Sequence, residues 1–134
     1  MASDAKKLGF DWNFFSEEFK EYCGSIYQDS FSVKMSVLNL SNGATESETL
    51  LFTRKIDDLC GTVHEADVHF DQSGEGCQPT SYSDCKVWNT GWQNVQIDIS
   101  SFANKSVRLE FYASDIGDSI FDSAILIDNI MISK

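Results

Sequence analysis

Apolar and polar positions alternate with a period of two along most of this chain, and no long stretch shows the three-to-four spacing of an amphipathic helix. Leu8, Phe10, Trp12 and Phe14 share one face, with Gly9, Asp11 and Asn13 between them. Phe31, Val33, Met35 and Val37 repeat the pattern against Ser32, Lys34 and Ser36. A third set places His64, Ala66, Val68 and Phe70 opposite Glu65, Asp67 and His69. Val95, Ile97 and Ile99 alternate with Gln96 and Asp98, and Val107, Leu109, Phe111 and Ala113 with Arg108, Glu110 and Tyr112. Residues 124–132 are almost continuously apolar, the pattern of a strand covered on both faces. Residues 50–53 suit a further short strand, and 16–22 at most one helical turn. Ser41-Asn42-Gly43, Gln72-Ser73-Gly74, Thr90-Gly91 and Ala103-Asn104-Lys105 supply turns between these segments. The pattern predicts an all-β protein, a single antiparallel β-sandwich of jelly-roll-like topology, in which the first and last strands are neighbours.

Length and charge narrow this picture. At 134 residues the chain makes one domain with a core of its own, expected over 8–134. Residues 1–7 are short and polar; they read as a linker and lack the apolar run of a cleavable leader. No apolar stretch is long enough for a membrane-spanning helix. Asp and Glu number 21 against 10 Lys and Arg, for a net charge of −11. Such an excess repels a phosphate backbone, which argues against nucleic acid as a partner, and it favours cations.

The acids are not evenly spread. Asp115, Asp118 and Asp122 fall within eight residues, interleaved with Gly117 and Ser119 and flanked by predicted strands. Clustered carboxylates repel one another unless a cation compensates, and calcium, which takes six to eight oxygens, suits them best. A solvated acidic loop is the competing reading. A second acidic patch comprises Glu17, Glu18 and Asp29. Adjacent first and last strands would bring it to Asp118 and Asp122. The expected calcium ligands are therefore Asp115, Asp118, Asp122, Asp29 and Glu18. An ion held between both ends of the chain would add folding free energy, because the unfolded chain has no such site.

Four cysteines allow three disulfide pairings. Cys77 and Cys85 bracket a polar, turn-like stretch that one bridge would close, leaving Cys23 to pair with Cys60. No C-x-x-C spacing suggests zinc or a redox site, and an even count in polar segments points outside the cytoplasm. Tyr82, Trp88 and Trp92 surround the Cys77 loop. Exposed rings there would stack on a sugar or grip a peptide; packing into the core is the alternative for Trp88 and Trp92. No nucleophile elbow, metalloprotease helix or phosphate loop is present, so an enzyme is not expected. His64 and His69 fall on opposite faces of one predicted strand and cannot share a metal by that strand alone.

Four motifs occur in order: Phe-Phe-Ser-Glu-Glu-Phe at 14–19, Gln-Asp-Ser-Phe at 28–31, Asn-Thr-Gly-Trp at 89–92, and Ser-Asp-Ile-Gly-Asp-Ser-Ile-Phe-Asp-Ser-Ala-Ile-Leu-Ile-Asp-Asn-Ile at 114–130. Together they resemble the choice-of-anchor type domains, β-sandwich modules of bacterial surface and secreted proteins, over about 10–132. The resemblance implies an extracellular or cell-surface module, often part of a larger, adhesin-like multidomain chain. It also implies acids at the positions of Glu18, Asp29, Asp118, Asp122 and Asp128. The cysteine-bearing insert at 77–85 departs from the family pattern. The function expected is a calcium-stabilised binding module for a glycan or peptide; the alternative is a structural spacer or assembly module without a ligand of its own.

Overall fold

The alternating segments fold as strands in a computed structural model that describes residues 1–20, 22–68, 70, 86–115 and 122–134. Chain order is β1 (Lys7–Ser16), β2 (Ser30–Leu38), β3 (Thr45–Lys55), a short helix α1 (Ile56–Leu59), β4 (His64–Glu65), β5 (Trp88–Asn89), β6 (Gln93–Asp98), β7 (Val107–Ser114) and β8 (Ser123–Ser133). β1 is the centre of the first sheet. β8 pairs with it from Lys7↔Ser133 to Ser16↔Ser123. Its other edge takes β6 against Lys7 to Trp12 and β5 against Phe15 and Ser16, with β4 beyond β5. The second sheet runs β3-β2-β7, and every pairing in both sheets is antiparallel. First strand with last, and second with second-last, is the nesting of a jelly roll.

Alternation explains the core. Leu8, Phe10, Trp12 and Phe14 are all buried on the inner face of β1, opposite Phe31, Val33 and Met35 of β2 and Phe52 of β3. Phe10 stands edge-on to Phe31, Phe52 and Phe111, with ring centroids 6.5, 6.0 and 5.1 Å apart. That geometry aims the positive rim of one ring at the negative face of the next.

Two expectations need correction. The strand expected over 64–70 is a strand only at His64–Glu65; His64 is exposed, Val68 is 45% exposed, and His69 lies outside the described residues. The run at 124–132 is a strand but is not covered on both faces. β8 is a sheet edge, paired among the described residues only with β1, and its Leu126, Ile130, Met131 and Ile132 are 48–66% exposed. Among the described residues of 16–22 there is one helical-type bond, from the Tyr22 amide to the Glu18 carbonyl, with Lys20 at φ 67°. A four-residue helical turn lies at α1, where Ile56 and Leu59 are buried and Asp58 folds back to accept from the Lys55 amide at 3.0 Å. Near the N-terminus Ala5 is buried, and the Lys6 amide donates to the Ser133 carbonyl at 2.9 Å.

Candidate functional site

Strand registers bring the acids to one end of the sandwich. Ser16, the last residue of β1, faces Ser123, the first of β8. In the other sheet Ser30, the first residue of β2, faces Ser114, the last of β7. Whatever follows β1 and β7 or precedes β2 and β8 therefore converges. Glu18, Asp29, Asp115 and Asp122 occupy those four positions.

Glu18 and Asp29 are fully buried, while Asp115 is exposed. One carboxylate oxygen from each of the three lies within 4.8 Å of the others. Two ligands on one calcium ion can be separated by at most twice the metal–oxygen distance, roughly 5 Å, so the three oxygens meet the geometric requirement for a shared ion. Beside them lies a cavity of about 120 Å³ lined by Asp29, Ala113, Ser114, Asp115, Asp122 and Ser123. It has room for an ion and a few waters, each water taking about 30 Å³.

Hydrogen bonds fix the two buried acids. The Asp29 amide donates to Glu18 Oε2 at 3.0 Å, and the Ser123 hydroxyl donates to Asp29 Oδ2 at 2.5 Å. The Ser16 and Ser123 hydroxyls are 2.7 Å apart, and Ser16 Oγ accepts from the Glu18 amide at 2.9 Å. A hydroxyl has one proton. That of Ser123 is shared between Asp29 Oδ2 and Ser16 Oγ, so the two serines link the Glu18 amide to Asp29. Glu17, almost fully buried, acts as a clamp: its amide donates to the Asp122 carbonyl at 3.1 Å, and its Oε2 accepts from the Asp122 amide at 3.0 Å.

Of the expected ligands, the fold thus joins Glu18, Asp29 and Asp115, and sets Asp122 on the wall of the adjoining cavity. Asp118 lies outside the described residues. Asp128 pairs with Asp11 in the sheet, five residues along β8 from Ser123, and is not one of the three. Ser16, Ser123 and the clamp by Glu17 escaped sequence reading, because a strand-end serine looks like any turn residue.

Cys23 and Cys60 form a disulfide, with Cα atoms 6.1 Å apart, which ties the β1–β2 connection to the end of α1. Cys77, Cys85 and Tyr82 lie outside the described residues. Trp88 is half-buried against the core, with the Lys20 ammonium 4.1 Å from its ring centroid. Trp92 is 54% exposed. No described helix is long and apolar enough to cross a membrane. The chain matches no family model, no curated protein and no solved structure.

Proposed function

We propose that this chain is a calcium-stabilised, extracellular binding module of a secreted or surface-attached bacterial protein, one domain of a larger chain, that recognises a glycan or peptide. The observation that carries the calcium reading is the pair of fully buried acids, Glu18 and Asp29, with Asp115 at their side. Withdrawing two carboxylates from water is expensive unless opposite charge and hydrogen bonds compensate. A hard divalent ion in the adjoining cavity supplies that charge, with Asp122 and water completing its oxygen shell. The Cys23–Cys60 bridge supports an oxidising compartment. Trp92, with over half its surface free, supports a binding rather than a catalytic role.

Thermal melting in calcium and in chelator tests the site. Calcium at about 100 times its Kd should stabilise by about 2.7 kcal/mol. Magnesium should do far less, because it demands a small octahedral cage and gives up water reluctantly. Asp29→Asn and the exposed Asp115→Asn should both abolish the calcium-dependent rise in Tm. Identical melting of the wild type in both media would overturn the calcium reading.

A specific observation favours the second reading, an assembly or spacer module: the exposed apolar residues of β8. Glycan and peptide arrays, with and without calcium, separate the two. A hit lost in Trp92→Ala supports a ligand-binding module. Silence on both arrays, together with concentration-dependent self-association, supports assembly.

A further inference from the structure

A second cleft opens between the two sheets, lined by none of the acidic-cluster residues. It measures about 290 Å³ and is lined by residues of β1, β3, α1 and β6, with Trp12 and Phe52 among its apolar walls. Its polar wall includes Arg54, Asp58, Gln93 and Asn94.

Each of these four is pinned by a bond that leaves capacity unused. Arg54 Nη1 donates to the Thr53 carbonyl at 2.7 Å, and the guanidinium carbon sits 4.2 Å from the Phe52 ring centroid. The rest of its donor fork makes no ion pair among the described residues. Asp58 Oδ2 accepts from the Lys55 amide, which leaves Oδ1. Gln93 Nε2 donates to the Thr90 carbonyl at 3.0 Å, and Asn94 Nδ2 to Asp11 Oδ1 at 2.7 Å, which leaves both amide oxygens. Held side chains with spare donors and acceptors are what a preorganised site requires.

The independent sign of a ligand is Trp12. It lines this cleft, it is only 4% exposed, and its indole N–H has no acceptor among the described residues. Buried donors in native proteins are nearly always paired, so an orphan on the wall of a cleft marks a place where a ligand or water accepts.

We propose that this cleft binds a neutral saccharide of one or two rings. The proposal rests on the glycan reading above but moves the contact surface from the Trp88–Trp92 region to the space between the sheets. Alternating hydroxyls need donors and acceptors at close spacing: Arg54 and the Trp12 indole give, while Asp58 and the amide oxygens of Gln93 and Asn94 receive. The C–H faces of the sugar meet the apolar part of the wall, to which Trp12, Phe52, Leu59 and Val95 contribute. Arg54 and Asp58 offset one another, and the chain's net charge of −11 opposes an anionic ligand, so the sugar is neutral. The volume stands at the small end of ligand sites, about 300–1,000 Å³, too little for a peptide of several residues.

The test is a nitrogen-15 NMR titration of the full chain, in calcium, with glucose, galactose, mannose, N-acetylglucosamine, cellobiose, lactose and chitobiose. At least one should shift the Trp12 indole resonance with saturation. Arg54→Met and Gln93→Ala should each weaken that binding about tenfold with melting temperatures near wild type, since neither side chain is in the core. A sugar that shifts Trp92 but not Trp12, and whose binding survives Arg54→Met, overturns the cleft and leaves the glycan reading standing. No response to any of the sugars, with silence on the glycan array as well, overturns both.

Discussion

Asn129 keeps β8 in register with β1. Between Gly9↔Met131 and Asp11↔Asp128 the pairing shifts, because β8 has one residue more than its partner, and Asn129 absorbs the excess at φ 51°. Asparagine tolerates that left-handed region better than other residues with a side chain. Its Nδ2 also donates to Asp11 Oδ2 at 2.7 Å, while Asn94 binds the other oxygen. Those two bonds, Asn129 first, hold the Asp11 carboxyl below its ordinary value against a smaller opposing effect of desolvation. A carboxyl depressed in the folded state adds stability at pH values above its unfolded pKa, and that contribution is lost as pH falls through the folded value. Asn129→Gly retains the left-handed backbone and removes the amide. Asp11 should then titrate closer to the ordinary value of about 3.9, and the loss of stability below about pH 4 should become shallower. Carboxyl NMR titration of the two proteins checks this; an unmoved Asp11 pKa would show that Asn129 is only a backbone device.

The strands were the most legible elements, and their surroundings the least. β1, β2, β6 and β7 follow from alternation because each has one face on the core and one on solvent or a neighbouring chain segment. The same rule failed at 64–70, where the alternating residues leave the sheet after Glu65, since alternation cannot show whether a partner edge is available. It misled again at β8. A continuous apolar run shows that a strand can be buried on both faces, whereas its place in the sheet decides whether it is. Ile125 and Ile127 pack against the core, but Met131 is 66% exposed. Ile127→Ala should therefore cost about 1–3 kcal/mol through lost packing, and Met131→Lys no more than about 0.5 kcal/mol. Urea unfolding of the two variants distinguishes them. Equal costs would mean that the outer face of β8 is covered after all. The charge also suits the edge, because an inserted lysine blocks strand addition.

Across the whole molecule, the acidic site is a product of topology. Sequence revealed the acids and, through the expected meeting of first and last strands, that the two patches would come together. It did not reveal how the expected ligands would divide, with Asp115 beside Glu18 and Asp29, and Asp122 on the cavity wall with its backbone clamped by Glu17. Nor could it foresee the Ser16–Ser123 contact, which exists only once those residues face each other in the register of β1 and β8. The same end of the molecule is tied a second time. Cys23–Cys60 links the connection carrying Glu18 and Asp29 to α1, whose Ile56 amide donates to the Asp29 carbonyl at 3.2 Å. The residues it joins are 37 apart, and closing such a loop should stabilise by about 3–4 kcal/mol in the chain-entropy model. It should also lower the entropy that calcium must overcome to order the β1–β2 connection. Cys23→Ser/Cys60→Ser should thus lose stability in chelator as well as in calcium, and its calcium Kd should rise. Titration calorimetry and melting of wild type and double variant measure both effects. A stability loss with an unchanged calcium Kd would mean that the bridge constrains only the unfolded chain, and that the acids are ordered by the sheets alone.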